Sequence, residues 1–151
     1  MIIADSSSII YLNNIQLLDL FLKSEKVFSV TTVYDELRKK KDDIEKYFVS
    51  GRIKIINADK SIIALSSLGI ADNDLISTSM KLKCYLLTDD KTISFICAEL
   101  QVGTLNSFNV IIRLYEKGLI ELKEAYFYIH KLGDITGYSK RILTEVLMSL
   151  P

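Results

Sequence analysis

Two short apolar runs in this chain each end in an acid. Met1-Ile2-Ile3-Ala4 is followed by Asp5, and Cys84-Tyr85-Leu86-Leu87-Thr88 is followed by the pair Asp89-Asp90. Continuous apolar runs of this length suit strands buried on both faces, the pattern of a parallel sheet. In an open α/β sheet, residues just past the carboxyl ends of the strands share one edge. Asp5 and Asp89-Asp90 are therefore expected on one rim. Two further acids fall where a helix begins or exposes a face: Glu36 in Val33-Tyr34-Asp35-Glu36-Leu37, and Asp72 in Ala71-Asp72-Asn73-Asp74-Leu75-Ile76. Carboxylates crowded on one rim repel each other unless a cation lies between them. The pattern points to a divalent-metal site.

The remaining periodicity supplies the rest of the sheet and its covering helices. Val27-Phe28-Ser29-Val30 and Arg52-Ile53-Lys54-Ile55-Ile56 read as strands, and Gln101-Val102-Gly103-Thr104 as a short edge strand. Cys84 to Thr88 reads as the central strand. Asp5-Ser6-Ser7-Ser8 can cap a helix that continues through Ile9-Ile10-Tyr11-Leu12, and a second apolar helix covers Leu17 to Leu22. Thr31-Thr32 can cap a helix from Val33 to about Ser50. Further helices are expected over Ser61–Leu68 with Gly69 as stop, over Asp72–Lys81, along Ile93, Ile96, Cys97 and Leu100, and from Val110 to Gly118. Two more cover Leu122–Lys131 and Ser139–Leu150. Strands alternating with helices imply a parallel sheet covered on both faces. A length of 151 residues suits one domain with a sizeable core.

Charge and cysteine content exclude several functions. Lys+Arg and Asp+Glu are both 19, so the chain does not grip nucleic acid by overall charge. A basic rim around an acidic centre would cancel in that sum. Cys84 and Cys97 have no CxxC pattern and no His nearby, so buried thiols are expected, with neither a disulfide nor a zinc site. No basic segment precedes a long apolar core, and no run reaches membrane-spanning length. A soluble, cytoplasmic protein is expected.

The four acidic segments, in this order, resemble the PIN-domain ribonucleases, a family that includes the toxins of VapBC-type toxin–antitoxin pairs. Ile3-Ala4-Asp5-Ser6-Ser7-Ser8-Ile9-Ile10 is similar to the family's opening strand, Asp and hydroxyl residue. Val30-Thr31-Thr32-Val33-Tyr34-Asp35-Glu36-Leu37 is similar to its strand, turn and Glu-bearing helix. Leu68-Gly69-Ile70-Ala71-Asp72-Asn73-Asp74-Leu75-Ile76 resembles its helix-opening acidic motif, and Leu86-Leu87-Thr88-Asp89-Asp90-Lys91 its strand-ending one. Val102-Gly103-Thr104-Leu105 and Lys117-Gly118-Leu119-Ile120 look like its final segment. The tail with Gly137-Tyr138-Ser139 and Leu143 to Leu147 is similar to a longer subfamily. The chain departs at Thr31-Thr32, where that subfamily has a Pro, and at Ser79, where a small Ala is usual. Matching through Ser79 selects Asp72 over Asp74, and in the last motif Asp90 matches better, with Asp89 the runner-up.

The resemblance implies a PIN-like three-layer α/β/α fold with a central, mostly parallel sheet: one domain over 1–151 with a helical C-terminal extension at about 121–151. It implies a Mg²⁺- or Mn²⁺-dependent endoribonuclease, the toxin of a type II toxin–antitoxin pair. Asp5, Glu36, Asp72 and Asp90 would be the catalytic and metal-binding residues. RNA would be the substrate, a small antitoxin and a second copy the partners, with no membrane involved.

Each acid also has an ordinary reading. Asp5 and Asp72 can be helix N-caps, Glu36 can pair with Lys39 or Lys40, and Asp89-Asp90 can be a polar turn. Ser6, Ser7 and Thr88 can orient carboxylates or cap helices. Arg38-Lys39-Lys40-Lys41 can meet phosphates or solvent, and Tyr11, Tyr34 and Phe108 can stack on bases or fill the core. His130 stands far from the motifs. A catalytically silent PIN-like scaffold is the alternative function. A phosphoacceptor receiver domain fits poorly, because Asp5 is a single acid there and Ile56-Asn57-Ala58-Asp59 does not match an acceptor strand.

Overall fold

The first strand of the chain becomes the middle of the sheet. In the computed structural model, which describes residues 1–40, 43–58 and 64–151, β1 (Ile2–Ala4) is buried at every position. It pairs in parallel with β2 (Val27–Val30) on one side and with β4 (Tyr85–Leu87) on the other. β3 (Ile53–Ile56) and β5 (Thr104–Leu105) form the edges, giving the order β3-β2-β1-β4-β5. Every pairing is parallel, so each strand ends toward the same rim. The chain builds outward from β1 to β3, then returns to start again at β4. The strand order therefore reverses between β1 and β4, the position where open α/β sheets hold their ligands.

The helices cover both faces in a three-layer α/β/α arrangement. α1 (Ser6–Asn14), α2 (Leu18–Ser24) and α7 (Ser107–Glu116) pack on one another. α5 (Ile70–Leu82) lies against β1, β2 and β4, with α3 (Thr31–Arg38) beside it and α4 (Glu45–Val49) beyond. α6 (Lys91–Glu99) links β4 to β5. α8 (Leu122–Ile135) packs on α7, and α9 (Lys140–Met148) packs on α8. Among the described residues, no helix is long and apolar enough to cross a membrane. Cys97 is buried and Cys84 half-buried, both as free thiols.

Several boundaries differ from the sequence expectation. β4 is interior but not central; that place belongs to β1, and Tyr85 is half exposed. The helix expected from Val33 to Ser50 is two helices, α3 and α4. α3 ends at Arg38 with Lys39 as its C-cap. Thr31 and Thr32 lie inside α3 and do not cap it. Their hydroxyls donate instead to Asn57 at 2.8 Å and to Asp74 at 2.9 Å, so tertiary partners win over the local cap. α5 begins at Ile70 with Gly69 as N-cap, so Gly69 starts a helix where a stop was expected and Asp72 is not the cap. Asn73 fixes this entry by bonding Leu65 N–H at 2.9 Å and the Leu65 carbonyl at 3.0 Å. Residues 64–69 are non-helical. The remainder of the Ser61–Leu68 helix, together with Lys41 and Asp59, lies outside the described residues.

Burial along β4 gives a stability test. Leu86 is fully buried, whereas Phe95 on α6 is 68% exposed. Leu86→Ala is expected to destabilise by about 2–5 kcal/mol through lost transfer energy and the cavity left behind. Phe95→Ala should stay within about 0.5 kcal/mol. Urea denaturation of the two variants checks both.

Candidate functional site

Asp5 stands at the point where the strand order reverses. Its backbone N–H donates to the Leu87 carbonyl at 3.0 Å, which locks the end of β1 to the end of β4. The extended backbone of Asp5 places it as N-cap of α1, and its carboxylate accepts from Ser8 N–H at 2.8 Å. Only 9% of the residue is exposed. Burial of the charge pushes its pKa up from 3.8 to about 6; hydrogen bonds from Thr88 and Ser8 offset part of this, and the Asp89 charge adds to it.

Thr88 joins two of the acids. Its side chain bonds Asp5, and its Oγ1 accepts from Asp90 N–H at 3.2 Å. Beyond it, Asp89 and Asp90 have opposite surroundings. Asp89 Oδ1 accepts from Ser107 N–H at 3.0 Å and from the Tyr138 hydroxyl at 2.8 Å. Its Oδ2 accepts from Ser8 Oγ at 2.7 Å and from Ser107 Oγ. A carboxylate has about four acceptor positions, so Asp89 is fully engaged. Asp90 is exposed and caps α6, with Oδ1 accepting from Ile93 N–H at 3.0 Å.

The other two acids reach the same rim from α5 and α3. Asp72 is half-buried in the first turn of α5. Burial raises its pKa above the usual carboxylate value, and the charges of Asp90 and Glu36 raise it further. Glu36 is exposed and accepts from Ser6 Oγ at 3.3 Å. Among the described residues it forms no ion pair with Lys39 or Lys40. Asp74, the neighbour set aside at the sequence level, is 5% exposed and faces Thr32 of α3. The fold thus brings together Asp5 with Asp89, and Asp72 with Asp90 and Glu36.

The donor set is all oxygen, which suits a hard divalent cation. Among the described residues, no three His, Cys, Asp or Glu side chains are gathered closely enough to ligate one ion directly. The rim therefore fits an ion that keeps part of its hydration shell and is held by one or two carboxylates, as Mg²⁺ is. It does not fit a dehydrated cage.

Other sequence candidates fall away from the rim. Tyr34 packs on Phe48 at 5.1 Å and lies under Arg38, which also pairs with Asp35 at 3.4 Å. Phe108 is fully buried, and His130 is exposed on α8. Ser7 is exposed, while Ser8, expected only as part of the capping run, bonds both Asp5 and Asp89. Ser107 carries no local signal, and Tyr138 stands in the sequence only as part of the tail resemblance; they lie 18 and 49 residues from Asp89. A cavity of about 560 Å³, lined by Ser79, Cys84, Tyr85 and Gly103 among others, sits at the amino ends of β4 and β5, opposite the acids. A smaller one of about 310 Å³ touches Asp89 and Asp90.

A family model described as a PIN domain matches residues 1–150. No curated protein sequence matches the chain. Among solved structures, the chain is similar to a PilT N-terminus domain protein from the hyperthermophilic archaeon Sulfolobus solfataricus P2. The two share 19% identity with a TM-score of 0.58, over 72% of this chain and 88% of that one. At that identity the likeness speaks for the fold.

Two outcomes follow from the electrostatics. Because folding raises the Asp5 pKa from 3.8 to about 6, the folded state binds the proton more tightly. The stability this group contributes is complete below pH 3.8 and is lost as pH rises through about 6. Asp5→Asn keeps a good N-cap and removes the buried charge. It should therefore match wild type near pH 4 and exceed it by up to about 3 kcal/mol above pH 6, read from urea denaturation across pH. Tyr138→Phe removes one donor from Asp89 and should lower stability by about 1–3 kcal/mol at pH 7.

Proposed function

This chain belongs to the PIN-domain family, and on that premise we propose that it is a divalent-metal-dependent endoribonuclease, the toxin of a type II toxin–antitoxin pair. PIN domains are in general metal-dependent nucleases and bind nucleic acid. The observation that supports the finer reading is that Asp5 lies beside Asp89 where the strand order reverses, with Asp90 next in the chain and Asp72 within the field of Asp90 and Glu36. Burial is the main cause of the raised pKa of both Asp5 and Asp72, and neighbouring carboxylates add to it: Asp89 for Asp5, Asp90 and Glu36 for Asp72.

The roles follow from exposure and partners. Asp5 and Asp90 are assigned as the residues that hold Mg²⁺ or Mn²⁺, with Asp72 as a further ligand. Asp90 is preferred to Asp89 because Asp89 has its acceptor positions filled by Ser8, Ser107 and Tyr138. Glu36, exposed and held only by Ser6, orients the attacking water. When bound, the cation supplies charge relief on the phosphate and acidifies water. In the hydrolysis, the water oxygen bonds phosphorus, the bond to the leaving oxygen breaks, and a proton passes to that oxygen. Lys91, next to Asp90, and the exposed Lys39 and Lys40 offer positive charge for neighbouring phosphates. Neutralisation would come from a small antitoxin that places a basic or polar side chain against the acids, and the chain would pair with a second copy.

A silent PIN-like scaffold is the second reading, favoured by the lack of three tightly gathered acids among the described residues. Cleavage of a mixed RNA pool with Mn²⁺, Mg²⁺ or EDTA separates the two. Metal-dependent cleavage is expected, falling at least about 100-fold in Asp90→Asn. Mn²⁺ should also raise the melting temperature of wild type, and raise that of Asp5→Asn less. No cleavage together with no metal-induced stabilisation would favour the scaffold.

A further inference from the structure

Next to the acid rim lies a cavity of about 310 Å³, lined beyond Asp89 and Asp90 by residues of three other segments. Tyr11 of α1 forms one wall, Lys91 at the start of α6 another, and Thr136-Gly137-Tyr138 between α8 and α9 a third. The size is at the lower end of ligand pockets, which run from about 300 to 1,000 Å³, and suits one small molecule or one unstacked residue of a strand.

Each wall matches a different part of one nucleotide. Tyr11 and Tyr138 supply aromatic rings, on which any base can stack. The Tyr138 ring is held in place: its hydroxyl donates to Asp89 at 2.8 Å, and it packs edge-to-face with buried Phe108 at a 5.0 Å centroid distance and 66°. A wall immobilised before the ligand arrives loses little entropy on binding. Lys91 is exposed and offers a cation for phosphate. Thr136 Oγ1 is buried without a hydrogen-bond partner. Buried hydroxyls are almost always satisfied, so an unpartnered one on a residue that lines the cavity suits a donor and acceptor for a base edge or ribose. Gly137 also lines the cavity, and a Cβ there would meet nothing within 4 Å.

We propose that this cavity is a nucleoside subsite, in which one base of single-stranded RNA leaves its stack and packs against Tyr11 and Tyr138 while its phosphate stays at the acid rim. The proposal rests on the ribonuclease reading. It adds that the C-terminal helices α8 and α9 help choose which nucleotide lies beside the cut. Unstacked bases read against aromatic side chains are the usual route to sequence preference in RNA recognition.

The test uses the full chain and two readouts. Binding of the four 5′-ribonucleoside monophosphates is followed by NMR chemical-shift perturbation, and cut sites in a random single-stranded RNA pool are found by sequencing the new ends. Gly137→Leu adds bulk at the cavity lining, at a position outside the left-handed backbone region. Tyr11→Leu is the second variant, keeping apolar bulk without an aromatic face. Wild type is expected to bind at least one mononucleotide and to favour one base beside the cut. Either variant should weaken mononucleotide binding and raise KM by roughly 10-fold, the worth of one stacked base, and should flatten the base preference. Cleavage by wild type with preference and binding unchanged in both variants would overturn the subsite and leave the ribonuclease reading standing. Mononucleotide binding lost in the variants, without any cleavage by wild type, would keep the pocket and sink the ribonuclease reading. Neither binding nor cleavage by wild type would sink both.

Discussion

A carboxyl buried at the end of the central strand is the constraint on which the rest of this structure depends. Asp5 must leave β1 where the strand is walled in by β2 and β4, so its charge is costly unless it is protonated, hydrogen-bonded or offset by a cation. The protein supplies hydrogen bonds from Ser8 and Thr88, which hold the group without removing the penalty. A hydrophobic residue there would pack more comfortably. An acid at such a position costs stability, and perturbed carboxyls of this kind cluster at functional sites.

The second organising contact is the knot at Asp89. It gathers Ser8 from α1, Ser107 from α7 and Tyr138 from the turn between α8 and α9 onto one carboxylate. Strand, helix and the segment after α8 are thus joined at the rim, beside Asp5 and Asp90. Adjacent acids have divided their work: Asp89, turned inward, braces these segments, and Asp90, turned to solvent, caps α6 and keeps part of its carboxylate unengaged. Charge-assisted hydrogen bonds are among the stronger polar contacts in a fold, so the brace constrains where its neighbour stands.

The strands and most helices were legible because their signals are local. Ile2-Ile3-Ala4 and Leu86-Leu87 declare buried strands by composition alone, and Asp5, Ser139 and the long apolar faces of α7 and α8 mark helices by period and cap. The errors came where a distant partner outbid a local preference. Thr31 and Thr32 look like caps, yet they bond Asn57 and Asp74 across the fold. Gly69 looks like a stop, yet it opens α5, because Asn73 ties the preceding loop to that helix.

The acids themselves were visible in the sequence, because a charge following an apolar run is out of place there and needs a reason. Their order also carried the family resemblance that the family match bears out. Sequence alone left Asp89 and Asp90 as near equals, since two adjacent carboxylates are chemically identical on paper. Tertiary structure separated them by where each points: one meets a hydroxyl 81 residues away at Ser8, and the other meets solvent. Local chemistry determined which side chains a strand end would present. Only packing of elements far apart in the chain decided which of them is saturated, which shares a field with its neighbours, and what cavity opens beside them.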